Sequence, residues 1–346
     1  MIPAAYQRPG TVEQALHALA AQSNGEVRAI GGGTNLLDLM KLQLMAPAGL
    51  VDVNRLPLDV IEPRDDGGLR IGATARNAQT AWHPLVEQQY PLLSAAMLAA
   101  ASPQIRNMAT NGGNLLQRTR CTYFYDHATP CNKRAPGSGC SAIGGLTKYH
   151  AILGASEHCI ATHPSDMCVA LAALEATVHV RSVRGERVIP FSEFHRLPGD
   201  RPDVDTTLAG DELILRIELP PQQRFAAHSA YLKIRERLSY AFALVSVAAA
   251  LDLDAEGVIR DARIAVGGVA HAPWRRASAE AMLVGALPSG QALGDAAAHL
   301  VEGAESQGQN AFKIPLARRV IVRALETAAK GTVDNQGHGP LPERAA

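Results

Sequence analysis

Apolar residues near the amino terminus recur with the spacing of one helical face. Val12, Leu16 and Leu19 lie three or four positions apart, which places them on the same side of an amphipathic helix. The Thr-x-x-Gln sequence from Thr11 to Gln14 falls at the start of this stretch. It predicts a capping box at the beginning of the helix.

Strand-like and helix-like patterns then alternate as far as a pair of prolines. The predicted elements are a strand, a glycine loop and a helix start over 26–41, strands within 50–56 and 68–77, an Ala-rich helix over 85–101, a helix running into a strand over 165–183, and a strand over 211–221. This last strand ends in Pro220 and Pro221. Because proline cannot donate to a strand ladder, the pair predicts a boundary.

The pattern changes beyond Gln222. Three antiparallel strands are predicted within 230–237, 242–254 and 258–270, with helices over 278–287 and 314–330 packed on them. We therefore predict an α+β protein divided near residue 222. The predicted divisions are a first part of 1–222 (with subdomains of about 1–55 and 56–222), a second part of 223–331 with an antiparallel sheet and helices, and a polar tail of 332–346.

Composition excludes several classes of protein. Hydrophobic residues make up 47% of the 346 residues and charged residues 19%, which is ample for sizeable cores and unlike a disordered chain. Lys plus Arg equals Asp plus Glu at 33 each, so no net charge draws the chain to nucleic acid. The amino terminus has no apolar stretch of signal-peptide length, and no uncharged run of 18 or more apolar residues predicts a membrane span. We expect the chain to stay in the cytoplasm unless it is exported as the folded passenger of a partner.

Two glycine-rich loops with similar chemistry lie about 80 residues apart. The first, AIGGGTNL at 29–36, joins a predicted strand to a helix, and the second is ATNGGNL at 109–115. Glycines let a ligand approach the backbone, and a helix start offers unpaired N–H groups to an anion. Neither loop has the dinucleotide or P-loop fingerprint. Two tight turns remain the simple alternative to a pair of loops that hold a diphosphate.

Asp166 follows the sequence THPS and comes near a predicted helix start. It is either only a helix cap or a carboxylate that accepts hydrogen bonds from a ribose or the edge of a flavin.

Cysteines are concentrated in an aperiodic stretch of about 40 residues, a length typical of functional or disordered loops. Cys121, Cys131, Cys140 and Cys159 have nine, eight and eighteen residues between them, and no Cys-x-x-Cys occurs. That spacing lacks the zinc-ribbon pattern and does not resemble a disulfide framework. It leaves open a zinc or iron–sulfur centre, or a cysteine nucleophile with His127 or His150 as base. The fifth, Cys168, is expected to be a small buried side chain.

Taken in order, GGGTNLL, ATNGGNLLQ and HPSDM resemble the FAD-binding medium subunits of the xanthine dehydrogenase, or molybdenum hydroxylase, family. The resemblance covers nearly the whole chain. QRTRC, PCNKR, GSGCSA and KYHAILG are similar to an insertion in the subgroup of periplasmic aldehyde oxidoreductases. This implies a two-part FAD-binding domain of the vanillyl-alcohol oxidase and MurB type. It also implies a second domain like the carboxyl-terminal domain of CO dehydrogenase flavoproteins.

The resemblance further implies a set of FAD-binding residues. The first loop would wrap the pyrophosphate, the second would grip it from the other side, Asp166 would meet the ribityl or adenosine part, and Leu215 and Lys233 would lie at the flavin. The residues concerned are Ala29, Ile30, Gly31, Gly32, Gly33, Thr34, Asn35, Leu36, Thr110, Asn111, Gly113, Asn114, Gln117, Asp166, Leu215 and Lys233. A cation at Lys233 would favour an anionic reduced flavin.

Finally, the resemblance implies a [4Fe–4S] cluster held by Cys121, Cys131, Cys140 and Cys159 in an insertion of about 117–160. Nearby aromatic and aliphatic residues (Tyr123, Phe124, Tyr125, Ile143) would shield it, and nearby cations (Arg118, Arg120, Lys133, Arg134) would offset its charge.

The same resemblance implies how the complex is organised. Substrate would be oxidised at the molybdenum cofactor of a large partner, and electrons would pass from the [2Fe–2S] clusters of a small partner through FAD to an external acceptor. No residue of this chain is assigned as a catalytic acid or base. The complex would reach the periplasm by a partner's signal. The alternatives are a self-contained flavin oxidase of the vanillyl-alcohol oxidase type and a zinc-stapled binding module.

Overall fold

The computed structural model describes residues 2–21 and 26–332. Nearly all of the predicted polar tail, 333–346, lies outside the described residues. The helices are α1 (Val12–Ala20), α2 (Leu36–Lys41), α3 (Asn77–Ala81), α4 (Pro84–Gln89), α5 (Pro91–Leu98), α6 (Pro103–Arg106), α7 (Asn111–Leu115), α8 (Thr122–Tyr125), α9 (Asp166–Ala173), α10 (Phe191–Phe194), α11 (Ala277–Ala281), α12 (Gly290–Leu300) and α13 (Lys313–Ala329). The strands are β1 (Ala5–Gln7), β2 (Val27–Ile30), β3 (Gly49–Asp52), β4 (Ile61–Pro63), β5 (Leu69–Gly72), β6 (Thr177–Ser182), β7 (Gly185–Pro190), β8 (Leu213–Leu219), β9 (Ser229–Ile234), β10 (Val245–Leu253) and β11 (Ile259–Gly267).

The first sheet is small and parallel, in the order β1-β3-β2. Helix α1 packs beside it through Leu16 and Leu19, as the apolar spacing predicted. The predicted cap is also present, because Thr11 Oγ1 accepts a hydrogen bond from the N–H of Gln14 at 3.2 Å. The Gln14 side chain in turn accepts from the N–H of Gly10.

The second sheet has the order β4-β5-β8-β6-β7, and its neighbouring strands are antiparallel. Its strand β8 is buried on both faces. Leu213 and Leu215 pack with α1 and β3, whereas Ile214 and Ile217 belong to the core formed with α5 and α9. This double burial explains why β8 is a nearly continuous apolar run.

The third sheet, β11-β10-β9, is antiparallel as predicted. One of its faces packs on α5 and α9, so these helices lie between the second and third sheets. Its other face packs on α12 and α13. Among the described residues, no helix combines the length and apolar character that a membrane crossing requires.

Two helix predictions were wrong in extent. The predicted helix over 85–101 is two helices, α4 and α5, because Pro91 lacks the N–H that would continue α4. The predicted helix over 278–287 ends at Ala281 as α11, and Gly285 follows it with a φ of 82°. That left-handed conformation suits a turn after a helix. Strand β7 and helix α12 were not predicted.

Candidate functional site

The two glycine loops touch each other through their backbones. A Cβ atom on Gly31 would lie 2.6 Å from Thr110 Oγ1, and one on Gly32 would lie 1.9 Å from the carbonyl oxygen of Met108. No side chain fits in either place, so glycine is required for the contact itself. Gly33 has a φ of 71°, which gives the first loop its turn.

Two polar residues outside the loops hold this contact together. Asn54 Nδ2 donates to the carbonyl oxygen of Gly31 at 2.9 Å. Arg76 donates both to the carbonyl oxygen of Met108, at 2.6 Å, and to Asn54 Oδ1, at 3.0 Å. Sequence reasoning missed both residues. The only signal was their position shortly after the strands β3 and β5.

The first loop presents donors that the protein itself does not use. Within the described residues, the main-chain N–H groups of Gly32, Gly33, Thr34 and Asn35 have no hydrogen-bond acceptor. Asn35 Nδ2 is buried without a partner, while Asn35 Oδ1 accepts from the N–H of Arg118 at 2.9 Å. A concentration of free donors of this kind is suited to an anionic ligand.

In the second loop, side chains mainly fix the shape of the backbone. Thr110 caps α7 by accepting from the N–H of Gly113. Asn111 is completely buried and donates to Thr80 Oγ1 at 2.8 Å. Asn114 donates to Asn77 Oδ1. The Asn114 Oδ1 atom accepts from the side chains of Ser165 and Gln117.

Asp166 and Lys233 form a buried ion pair. Lys233 Nζ lies 2.7 Å from Asp166 Oδ2, and their side chains are only 4% and 5% exposed. Tyr231 donates its hydroxyl to Asp166 Oδ1 at 2.6 Å. Burial, followed by the Asp166 charge, holds the pKa of Tyr231 well above its ordinary value. Asp166 therefore joins the start of α9 to strand β9.

Leu215 lies on β8 and is buried with α1 and β3. It therefore packs where the first and second sheets meet.

The four widely spaced cysteines converge on one cavity. Cys121, Cys131, Cys140 and Cys159 all line it, together with other residues that include Tyr123, Phe124 and Lys133. Cys131 and Cys140 are also directly paired through an isolated backbone bridge. All five cysteines of the chain are free thiols.

The cysteine sulfurs are not packed at zinc spacing. Four thiolates on one zinc ion stand about 3.8 Å apart, given a Zn–S distance of about 2.3 Å. Among the described residues, three potential ligand atoms lie within 4.8 Å of one another at His163, Cys168 and His195, and not at these four cysteines. The four cysteines of the cavity are therefore more widely spread.

The arrangement does not favour a cysteine nucleophile. Cys121 Sγ lies 3.1 Å from His150 Nε2. Burial raises the pKa of Cys121 to about 12 and lowers the pKa of His150 to about 4. A nucleophilic pair needs the opposite shifts, toward a thiolate and an imidazolium. His127 is exposed and contacts the carbonyl oxygen of Leu42.

Comparison with known proteins gives the same architecture. Residues 2–222 match the model of the FAD binding domain in molybdopterin dehydrogenase, and residues 229–328 match that of the CO dehydrogenase flavoprotein C-terminal domain. The chain belongs to the FAD-binding medium subunits of the molybdenum hydroxylase family. It is thus a subunit of an oxidoreductase, and the predicted family and fold class are confirmed.

Individual members of the family differ in their similarity to this chain. The chain is 49% identical to the aldehyde oxidoreductase FAD-binding subunit PaoB of Escherichia coli K12, over 93% of this chain and 97% of that one. It is 28% identical to subunit alpha of the 6-hydroxypseudooxynicotine dehydrogenase complex of Paenarthrobacter nicotinovorans, over 95% and 96%. Quinoline 2-oxidoreductase from Pseudomonas putida 86 has a similar structure, with a TM-score of 0.71, 25% identity, and coverage of 95% and 98%.

Beside the cysteine cavity lies a carboxylate, Asp205, that sequence reasoning missed. Asp205 lies within 2.6 Å of Arg118 Nε, forms an ion pair with Lys133, and lies 3.3 Å from His271 Nε2. The single carboxylate of Asp205 therefore already compensates part of the positive charge of Arg118 and Lys133. The expectation that they simply offset the charge of a cluster was incomplete, because Asp205 is 45 residues beyond the cysteine stretch.

Two other expectations about the cysteine surroundings need correction. Ile143 is 44% exposed and is not among the residues that line the cavity that it was expected to shield. Arg134 donates to the carbonyl oxygens of Tyr123, Phe124 and Thr129, so it organises the loop. Tyr123 and Phe124 do line the cavity, as predicted.

Proposed function

We propose that this chain is the FAD-carrying and [4Fe–4S]-carrying subunit of a heterotrimeric molybdenum-dependent aldehyde oxidoreductase. The observation that carries the FAD part is the backbone contact between the two glycine loops, with unpaired N–H groups at its edge. Similarity to an aldehyde oxidoreductase FAD-binding subunit over nearly the whole chain supports the substrate class.

The first loop fits an FAD pyrophosphate by its chemistry. Its free N–H groups and the unpartnered Asn35 Nδ2 would donate to phosphate oxygens, and the glycines leave the backbone accessible. Thr110 and Gly113 would offer main-chain contacts from the second loop. Asn114 and Gln117 would set its shape, because their side chains already bond to protein groups.

The Asp166–Lys233 pair supports a role beside the flavin. Lys233 is held by Asp166 and by the carbonyl oxygen of Ala99, at 3.1 Å. A lysine fixed in this way stays at one place and keeps its charge compensated by the carboxylate. We infer that Lys233 and Asp166 act as one unit and that Leu215 supports the adjoining packed surface.

The cysteine cavity fits a cluster better than a zinc ion. In a [4Fe–4S] cluster each thiolate binds a different iron, so the four sulfurs stand farther apart than on a single zinc ion. That agrees with the wider spacing of Cys121, Cys131, Cys140 and Cys159. Tyr123 and Phe124 would keep water from it, and Lys133 would lie beside it.

The bound groups would make this chain an electron carrier between partners. FAD would supply the redox chemistry that links the [2Fe–2S] clusters of a small partner to an external acceptor, and the [4Fe–4S] cluster would be either a side branch of this path or a brace of the insertion. The aldehyde would be oxidised at the molybdenum cofactor of a large partner. We also propose that the complex reaches the periplasm through a signal on a partner, which fractionation of cells with and without that signal tests.

The activity is tested by comparing the isolated chain with the complete complex. With FAD and cluster loaded, the isolated chain should be reduced by dithionite and, once the excess dithionite is removed, should pass its electrons to a dye, but it should not oxidise aldehydes. The complex should oxidise aldehydes. Aldehyde or alcohol oxidation by the isolated chain would contradict the proposal and favour a self-contained flavin oxidase. No observation in the structure favours that alternative, and the matched carboxyl-terminal domain argues against it.

A further inference from the structure

A second group of potential metal ligands lies apart from the four-cysteine cavity. The ligand atoms of His163, Cys168 and His195 all lie within 4.8 Å of one another. His163 precedes α9, Cys168 is in the first turn of that helix, and His195 directly follows α10. The two imidazole rings are 4.2 Å apart between centroids. Three segments of the chain therefore meet at this point.

His195 has the orientation of a metal ligand. Its Nε2 atom lies 2.9 Å from the carbonyl oxygen of Leu115. Because a carbonyl oxygen only accepts, Nε2 must carry the proton and Nδ1 must carry a lone pair. That Nδ1 atom is buried without a hydrogen-bond partner. Metal-binding histidines typically donate their other ring N–H to such an oxygen.

His163 adds a second unsatisfied nitrogen. Its Nε2 atom is shielded from solvent and has no hydrogen-bond partner. No hydrogen bond joins His163 to His195 within the described residues. An unpaired buried polar group costs about 1–3 kcal/mol. Two such atoms facing a buried thiol are unfavourable unless a ligand binds all three.

Cys168 completes the group from the start of α9. It is completely buried, and its main-chain N–H donates to the capping Ser165 Oγ at 3.1 Å. Burial raises the pKa of the Cys168 thiol to about 12, so this thiol would give up its proton as the ion binds. This gives Cys168 a role beyond the small buried side chain that the sequence suggested.

A cleft lies beside the group on the side of His195. It has a volume of about 290 Å³, and His195 is part of its wall together with Thr177, Phe191, Ser192 and Arg275.

We propose that His163, Cys168 and His195 form a mononuclear site for a zinc ion, with a water molecule as fourth ligand. Two imidazoles and one thiolate suit a borderline-soft ion such as zinc. Ligand atoms on one zinc ion stand about 3.3–3.8 Å apart, so only small movements are needed from the present arrangement. The ion would tie the segment before α9 to α10 and does not depend on the proposed electron-transfer role.

Metal analysis of the complete chain tests this site. The protein is incubated with zinc chloride, desalted in the presence of a chelator, and its zinc and iron are counted on the same sample. Wild type should retain about one zinc per chain. Cys168→Ala and His195→Gln should retain less than a tenth of that. Cys131→Ser, a matched change in the other cavity, should retain the zinc.

The outcomes separate the two cavities. A zinc count unchanged in Cys168→Ala and His195→Gln but lost in Cys131→Ser would place the zinc at the four cysteines and overturn the proposal. Wild type without zinc would overturn it as well. Zinc-edge X-ray absorption should show one sulfur with nitrogen and oxygen ligands, and all-sulfur ligation would contradict the site. Circular dichroism on each variant confirms that it is folded, so that a lost zinc reports a lost ligand.

Discussion

At the scale of single residues, the contact between the two glycine loops is possible because Gly31 and Gly32 have no Cβ atom. Gly32 lies against the carbonyl group of Met108, and any Cβ there would overlap the oxygen. Gly31 lies against the side chain of Thr110, whose Oγ1 would be 2.6 Å from a Cβ. The sequence showed that glycines cluster in both loops. It did not show that the loops touch, because this depends on how β2 and α7 are placed in three dimensions.

Changing Gly32 to alanine should separate the loops. We expect a loss of stability of about 1–3 kcal/mol from overpacking and at least a tenfold weaker affinity for FAD, or about 1.4 kcal/mol. Urea unfolding and fluorescence titration with FAD measure the two effects. Gly294→Ala is the control, since a Cβ there meets nothing within 4 Å and helix α12 should gain up to about 1 kcal/mol. Equal FAD affinity in Gly32→Ala and wild type would contradict this view of the loop.

The buried ion pair provides a second prediction at this scale. Lys233→Met leaves Asp166 buried without its cation and should cost about 3–5 kcal/mol. The double change with Asp166→Asn should cost less than the sum of the two single changes. Urea unfolding of all three variants measures this coupling. Lys148→Met, in an exposed ion pair with Glu236, is the control and should cost about 0–1 kcal/mol. Additive effects at Lys233 and Asp166 would show that they do not act as a unit.

At the scale of elements, the cysteine segment is tied to the rest of the protein by Asp205. This carboxylate contacts Lys133, Arg118 and His271. Burial alone would raise the pKa of Asp205. The hydrogen bond with His271 and the charges of Lys133 and Arg118 outweigh burial and hold this pKa well below its ordinary value. Asp205 therefore stabilises the folded protein in its ionised form.

Asp205→Asn should lower stability by about 1.5–3 kcal/mol near neutral pH, the range for hydrogen bonds to charged groups. Because the pKa is lower in the folded state than in the unfolded state, the contribution is complete above the unfolded value of about 3.9. It is lost as the pH falls through that value toward the folded pKa. Urea unfolding at several pH values should show a constant gap between wild type and variant above about pH 5 and a shrinking gap below about pH 4. A gap that widens in acid would contradict the assignment.

Element boundaries show what local sequence can predict. Helix α1 was predicted because its apolar spacing and its cap lie within nine consecutive residues. The strands of the third sheet were predicted because their runs of apolar residues are long. Strand β7 was missed because five of its six residues are exposed and show no apolar alternation. The break between α4 and α5 at Pro91 was missed because the apolar pattern continues across it, although a proline disfavours helical backbone at the residue before it.

At the scale of the whole molecule, the site is shared among distant parts of the chain. Asp166 and Lys233 lie on either side of the predicted boundary near 222, a division that stays a prediction. Helices α5 and α9 pack against the second and the third sheet. A ligand bound between the loops and beside this ion pair would therefore stabilise more than one sheet.

Binding of FAD should consequently raise the melting temperature of the apo chain in one cooperative step. At a free FAD concentration one hundred times the Kd, the stabilisation should be about 2.7 kcal/mol. Differential scanning calorimetry at increasing FAD measures it, with riboflavin as the control that lacks the diphosphate. An equal effect of riboflavin would show that the glycine loops do not bind phosphates.

Much of the candidate site was predictable from local signals, and the missing parts share a physical cause. The glycine loops, Asp166, Lys233 and the cysteines each lie in a recognisable stretch. The side chains of Asn54, Arg76 and Asp205 bond to residues that are distant in sequence. The sequence around each of them therefore does not indicate the interaction.

The most direct test of the whole account is the cofactor content of the purified chain. An absorbance spectrum before and after dithionite, with iron, zinc and acid-labile sulfide counted on an anaerobic sample, provides it. We expect one flavin and about four irons with matching sulfide per chain, and a loss of iron when Cys131 is changed to serine. A chain that binds no flavin after FAD is added would contradict the central claim. Flavin without iron would contradict the cluster held by Cys121, Cys131, Cys140 and Cys159.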